Sequence, residues 1–343
     1  MPAHVSLIIV NFHSAELAAE AIRTARAASR DPLQVVVVDN STDAGEAAAL
    51  RPLADVLIAA ESNLGYGAAI NRARRRCDGE LLIVSNPDVR FGSACIDRLG
   101  DSDADVAGPA LFWDDEHSWF LPPAERHTPA QVLDLALASR SAAWRRARDH
   151  RRIRRRMAFW SLRRPTAVAA LSGAVMAIRP AAFDRVGGFD ERFHLYFEEI
   201  DFLRRVRTGI LYVPDAQCRH LYNQSAASSD RAAVAYAESE RAYLSKWGRF
   251  APFAKRLQRP LPAGEAVLPL QGDRITIERT GIVVEASPLS SFDTAAGHFA
   301  DPGALEIPEE VWDAYRGECL YLRLIDRGTA SVMATFVRAR IPS

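Results

Sequence analysis

Four consecutive valines, Val35–Val38 in the stretch LQVVVVDN, do not alternate with polar residues. A strand of this kind presents apolar side chains on both faces, so both must be covered, as in a parallel sheet with helices packed above and below. VSLIIVNF from Val5 and ELLIVSN from Glu80 repeat the pattern, and ADVLIAA from Ala54 lies between them. Alanine-rich, arginine-studded segments separate these runs, and AELAAEAIRTARAAS and GYGAAINRARRRC read as helices. From residue 5 to about 108 the chain is therefore expected to be α/β.

In open sheets of this class ligands bind beyond the carboxyl ends of the strands, which directs attention to Asn11, Asp39, Asn40 and the segment after Val84. Asp39 ends strand two in VVVVDNSTD. Its carboxylate either accepts a hydrogen bond from the imide N–H of a uracil or thymine, or, like Asp43, caps the following helix. Asp88 follows Pro87 at the end of strand four, where a stiffened turn suits a carboxylate that holds a divalent cation against a diphosphate; the bland reading is an ordinary turn residue. Gly65 and Gly67 in NLGYGAAINRA stand at a helix start, where free N–H groups meet phosphate or ribose oxygens. No GxGxxG follows strand one, where the sequence is NFHSAE, so hydride transfer loses support.

The chain has 343 residues, 48% of them apolar, which favours a main domain with a second one added. Its 43 basic and 43 acidic residues cancel, so no global field argues for nucleic acid as a partner. Cys77, Cys95, Cys218 and Cys319 contain no CxxC pair, which suggests neither a disulfide framework nor a zinc site and fits a reducing cytoplasm. MPAHVSLIIVNF lacks the basic start of a signal peptide, and AVAALSGAVMAI is too short to span a bilayer. A cytoplasmic protein is expected, either free or peripheral at the inner face of the membrane.

The expected organisation is a main domain over residues 1–250 interrupted by a basic insertion at about 114–165, a proline-spaced linker over 251–265, and a small all-β domain over 266–343. Two strand pairs, around Gly281 and Gly328, read as hairpins in that last domain. Trp312 and Tyr315 there either stack on a sugar or fill the core.

VSLIIVNFHS, VVVVDNSTD, NLGYGAAINRA, LLIVSNPDV, LSGAVMAIRPAAFDRVGGFDERFHLYFEEIDFLRRV and YVPDAQCRH occur in that order. Together they resemble inverting family 2 glycosyltransferases of the GT-A fold, in the bacterial branch often assigned as rhamnosyltransferases. The resemblance covers roughly Val5 to Trp247. It implies a mixed sheet flanked by helices, with the β-domain outside it. It also implies transfer of a sugar from a dTDP- or UDP-linked donor to a glycan or lipid-linked glycan in cell-surface polysaccharide synthesis, with Mg2+ or Mn2+ as cofactor. By resemblance Asp39 contacts the donor base, Asn11, Asn63, Gly65, Tyr66 and Asn86 line the donor site, and Asp88 and His220 hold the metal. Asn86 replaces a carboxylate of the family's Asp-x-Asp motif, which removes one charge from that site. A nucleotide-sugar-binding scaffold subunit without transferase activity is the alternative.

FHLYFEEIDFLRR crowds Glu198, Glu199 and Asp201 among aromatics. A helix starting near Glu198 tolerates clustered carboxylates through its N-terminal dipole, while burial and like charge raise their pKa values. On such a helix Glu198 and Asp201 share a face and Glu199 is rotated by about 100°. The resemblance places the catalytic base at Glu199 and leaves Asp201 for acceptor binding or site support, with Glu198 structural. The other reading is that all three cap the helix and pair with Arg204 and Arg205. The run RSAAWRRARDHRRIRRRMAFWSLRR is either a plain exposed helix or, through Trp144, Met157, Phe159 and Trp160, a contact for an anionic membrane surface or a lipid-diphosphate acceptor, with nucleic acid ranked well below because no recognisable nucleic-acid-binding motif accompanies it.

Overall fold

A computed structural model of the protein describes residues 4–221, 230–248, 251–259, 267–270, 274–315 and 317–340. The chain begins β1 (Val5–Asn11), α1 (Ala15–Ala27), β2 (Leu33–Asp39), α2 (Ala44–Leu50), β3 (Val56–Ala59), α3 (Tyr66–Arg74) and β4 (Leu81–Ser85). It continues through β5 (Val89–Phe91), α4 (Cys95–Gly100), β6 (Val106–Phe112), α5 (Pro129–Ala138), α6 (Ala142–Trp160), β7 (Thr166–Ala167), β8 (Val175–Ile178), α7 (Pro180–Arg185), α8 (Glu198–Val206), β9 (Ile210–His220) and α9 (Asp230–Trp247). The last part holds α10 (Ala251–Leu257), β10 (Leu268–Pro269), β11 (Arg274–Ile277), β12 (Ile282–Ser287), β13 (Ala296–Ala300), β14 (Gly303–Glu306), α11 (Glu309–Ala314), β15 (Cys319–Asp326) and β16 (Ser331–Ala339).

These elements form two compact units, the first of residues 1–111, 124–127 and 163–249 and the second of residues 112–123, 128–162 and 250–343. The first unit is built on a nine-stranded sheet in the order β3-β2-β1-β4-β8-β6-β9-β5, with β7 also paired to β9. Strands β3, β2, β1 and β4 are parallel. All seven residues of β1 are buried, as the unbroken apolar runs require. Leu7, Ile9, Val35 and Val37 share one core with Ala18, Ala21, Ile22 and Ala25 of α1, whose small side chains let the helix lie close on the sheet. Beyond β4 the sheet turns antiparallel through β8 and β9, which the parallel pattern of the first 108 residues does not foreshadow.

The partition differs from the boundaries expected along the chain. Most of the 114–165 interruption, including α5 and α6, belongs with the C-terminal strands, because Ile153, Met157 and Trp160 of α6 pack with Val283, Ile325 and Ala330. A Cβ on Gly297 would lie 2.1 Å from the Trp160 ring, so the closeness of that contact demands glycine. Residues 251–257 of the expected linker are helical, and residues 260–265 fall outside the described residues. The second unit is thus not all-β. It combines α5, α6, α10 and α11 with a five-stranded sheet, β10-β16-β15-β12-β13, and the ribbon β11-β14. The Gly328 pair is a hairpin, β15 with β16. The Gly281 pair is not: β11 pairs with β14 while β12 pairs with β13 and β15, so Gly281, at φ 77°, marks a change of sheet. Tyr315 is buried in the core, whereas Trp312 is half-buried and carries the guanidinium of Arg338 over its ring at 4.0 Å.

The arginine run is a helix with two different faces. Arg152 and Arg156 point inward and are buried, whereas Arg146, Arg151, Arg154 and Arg155 are exposed. Met157 and Trp160 are buried with the inward face, which leaves Trp144 as the exposed aromatic of the four singled out above. Among the described residues no helix is long and apolar enough to cross a membrane. Glu285, wholly buried on β12, accepts from Arg156 at 3.3 Å and from Arg323 at 2.7 Å. Replacing one partner of a buried ion pair leaves the other charge without compensation. Glu285→Ala is therefore expected to destabilise the second unit by about 3–5 kcal/mol. Urea unfolding followed by circular dichroism measures this, and an unchanged midpoint would contradict the role assigned to the pair.

Candidate active site

The parallel register sets Asn11 of β1 beside Asp39 of β2. Asn11 Nδ2 donates to Asp39 Oδ1 at 3.0 Å, and the Ser41 N–H donates to the same oxygen at 3.0 Å. Asp39 therefore does not cap the next helix. Asp43 does, accepting from the N–H of Gly45 at 2.7 Å. Among the described residues no donor is bonded to the second oxygen of Asp39, Oδ2, although Asp39 is only 2% exposed. Glu46 was not foreseen here: its Oε2 accepts from Asn11 Nδ2 at 2.8 Å and from the Ala15 N–H at 2.9 Å. The signal was present as Asp43-x-x-Glu46, a capping-box spacing, but this glutamate reaches across to Asn11 and the first N–H of α1.

Gly65 precedes α3 at φ 83°, a conformation that favours glycine, and a Cβ there would sit 2.5 Å from the carbonyl oxygen of His194. The Tyr66 N–H donates to that carbonyl at 2.9 Å, and Asn63 Oδ1 accepts from the Gly65 N–H at 2.9 Å. Asn63 is exposed, while the Tyr66 hydroxyl donates inward to the Gly173 carbonyl at 3.2 Å. Gly173 is the meeting point: a Cβ on it would lie 3.1 Å from Glu199 Cγ. The next carbonyl, of Ala174, accepts from the Asn86 N–H at 2.9 Å. Tyr66, Asn86 and Glu199, distant in sequence, are thus gathered around residues 173–174.

Glu198 and Glu199 open α8 behind Tyr196 and Phe197, both at φ 69°. Oε2 of each glutamate is buried without a hydrogen-bond partner. Burial, then the adjacent Glu199, push the Glu198 carboxyl well above the usual carboxylate range. Burial raises Glu199 as well, opposed by the N–H groups of Glu199 and Ile200. Tyr66 is driven well above its ordinary value by burial and then by the negative charge of Glu198, Glu199 and Asp88. The segment thus gathers acidic groups where little water reaches, which opposes their ionising together.

Asp201 has a different occupation. It is wholly buried, accepting from Trp247 Nε1 at 2.7 Å and Arg205 Nε at 2.8 Å, with Lys246 Nζ at 2.6 Å. It ties α8 to α9, and its pairing with Arg205 is the one the structural reading expects. The aromatics beside it are core: Phe189 stacks on Phe202 with centroids 4.7 Å apart.

Strands β5 and β9 pair antiparallel with Val89 opposite His220, which brings Asp88 and His220 together across more than a hundred residues of sequence. Asp88 Oδ1 is buried, lies 3.3 Å from His220 Nε2 and makes no hydrogen bond. Burial works to raise this carboxyl and is the largest single influence, but the charge and ring N–H of His220, a backbone N–H and the charge of Arg90 together outweigh it and leave the group below its usual range. Among the described residues no group of three or more His, Cys, Asp and Glu side chains is placed to hold a metal. The oxygen and nitrogen of Asp88 and His220, one of them an orphaned buried acceptor, nonetheless suit a hard divalent ion that takes its remaining ligands from a substrate and water.

Residues 6–171 match glycosyl transferase family 2. Over 215 residues, 56% of this chain and 68% of the relative, the sequence is 34% identical to the N-acetylglucosaminyl-diphospho-decaprenol L-rhamnosyltransferase of Mycobacterium tuberculosis. Among solved structures it is similar to the mannosyltransferase PcManGT from Pyrobaculum calidifontis in complex with GDP-Man and Mn2+, at 17% identity and a TM-score of 0.47, covering 75% of this chain and 70% of that one. It is also similar to S. aureus TarS 1-349 in complex with UDP-GlcNAc, at 14% identity and a TM-score of 0.42, covering 74% and 70%. With a rhamnosyltransferase relative aligned over two thirds of its length and a mixed sheet flanked by helices, the chain belongs to glycosyl transferase family 2.

Proposed function

We propose that the protein is an inverting, metal-dependent transferase that moves rhamnose from a dTDP- or UDP-linked donor to a glycan or lipid-linked glycan acceptor in cell-surface polysaccharide synthesis, at the cytoplasmic face of the membrane. The observation that carries this reading is Glu199: a carboxyl with one unpartnered buried oxygen and a raised pKa, against Gly173 and beside the Asn86–Asp88 turn. The mycobacterial relative, named as a rhamnosyltransferase, supports the choice of sugar.

In this reading Asp39, its Oδ1 pinned by Asn11 and Ser41, offers Oδ2 to the imide N–H of the donor base. Asn63, Gly65, Tyr66 and Asn86 line the path from base to sugar. Asp88 and His220 hold Mg2+ or Mn2+, which when bound offsets the charge of the diphosphate. The acceptor hydroxyl attacks the anomeric carbon, Glu199 takes its proton, and the bond to the diphosphate breaks on the opposite side, inverting the centre. Glu198 keeps its proton when Glu199 ionises, because burial and then the Glu199 charge raise it further, so the pair carries one negative charge and burial alone keeps Glu199 basic.

Glu199→Gln is expected to leave donor binding intact and lower turnover by roughly 10²–10⁴-fold. Near-normal transfer would overturn the assignment. Because a base must be ionised and the Glu199 pKa is raised, kcat/KM is expected to fall as pH is lowered through a midpoint above the usual carboxylate range. That acid limb should be missing from the residual activity of the Gln variant. Asp88→Ala should weaken donor binding in the presence of Mn2+ by about tenfold or more, read by calorimetry, while an unchanged metal requirement would count against the Asp88–His220 site. Donor binding by the unaltered chain with no transfer to any acceptor would favour the scaffold-subunit alternative.

A further inference from the structure

The second unit contains a cavity of about 450 Å³, within the range of small-ligand sites, that the transfer reaction leaves unused. Arg145, Arg146, Arg148, Arg152 and Arg323 line it, with Asp149 as the single carboxylate in its wall. Strand hydroxyls from Ser331 and Thr335 close the other side. An imbalance of this kind is costly, since like charges in a partly dry wall repel.

Part of the positive charge is neutralised from behind. Arg323 donates to Asp149 at 2.8 Å and to Glu285 at 2.7 Å, and Arg152 reaches Asp149 at 2.5 Å and also pairs with Asp293. Arg148 lies 3.4 Å from Asp134 and 3.5 Å from Asp293. Arg145 donates to the Ala138 carbonyl at 3.3 Å, and neither it nor Arg146 makes an ion pair among the described residues. Arg152, 6% exposed, keeps its Nε–H buried with no acceptor. Burial, followed by the nearby charge of Arg156, lowers the pKa of Arg152 although Asp149 and Asp293 pair with it. A buried N–H without an acceptor and two arginines without a carboxylate partner at one wall suit an acceptor-rich anion, and phosphate oxygens match guanidinium forks bidentately.

We infer that this cavity binds a phosphate or diphosphate ester, either as the headgroup of a lipid or as a free ester. The inference stands apart from the donor reading, because every lining residue belongs to the second unit and none is a donor-site residue.

Calorimetry of the full chain with inorganic diphosphate, in EDTA at constant ionic strength, tests it. Saturable binding is expected, retained in Asp88→Ala and weakened roughly tenfold or more in Arg145→Gln/Arg146→Gln. These two arginines lie outside the buried ion pairs, so the variant should fold, which circular dichroism checks. Ser331→Glu, an exposed strand substitution that adds negative charge to the opposite wall, should weaken binding independently. Sedimentation with phosphatidylcholine vesicles, with and without phosphatidic acid, separates the sources. Association that needs phosphatidic acid and both arginines identifies a lipid headgroup, and diphosphate binding without it identifies a free ester. Absence of saturable diphosphate binding, or equal affinity in the unaltered chain and both cavity variants, overturns the inference.

Discussion

The parallel hydrogen-bonded register of β1 with β2 and β4 is the constraint on which the first unit depends. Pairing Val5 with Leu33 and with Leu81 aligns the starts of the three strands, so that β1 and β2 end together at Asn11 and Asp39 and β4 ends at Ser85, opposite Ile9. Because both faces are buried, few polar side chains can be accommodated along their length, and functional groups collect where the chain leaves the sheet. Asn11, Asp39 and the Asn86–Asp88 turn stand there. The antiparallel half then brings in what the parallel half lacks: β8 leads from the Gly173–Ala174 platform and β9 delivers His220 to Asp88. Two modes of strand pairing thus supply two sides of the candidate site.

The parallel half was legible because its signals are local. A run such as Val35–Val38 has few ways to be buried, and the start of α3 needs glycine at position 65 for a reason visible in its φ value. The antiparallel half was less so, since the pairing of β5 with β9 depends on contacts more than a hundred residues apart. Asp43 and Asp39 were indistinguishable as caps until the amide of Asn11 was seen to engage Asp39. Asp201 looked like a member of an acidic cluster, but Lys246 and Trp247, which hold its carboxylate, arrive on a helix that the cluster does not announce.

The arginine helix shows the same division at larger scale. Its composition suggested an exposed or membrane-facing surface, yet Arg152 and Arg156 are spaced by four and fall on the face that also carries Ile153 and Met157. Their counter-charges, Glu285 and Asp293, lie over a hundred residues away, so reading the helix alone leaves it overcharged. The apparent excess is resolved by tertiary pairing on one face and persists at the wall of the cavity.

Tyr196 and Phe197 have a consequence beyond local geometry. Two successive non-glycine residues in the left-handed region each carry about 1–2 kcal/mol of unfavourable backbone energy. Nothing in the local chain repays this. The surrounding aromatics do, with Phe197 within 5.3 Å of Tyr243 and 5.2 Å of Tyr236 between ring centroids. The aim of the two glutamates that follow is consequently leased from the packing of α9. A substitution that loosens this aromatic nest could let the turn spring back and swing both carboxyls, so an enzyme that is still fully folded by every bulk measure would already have lost its timing.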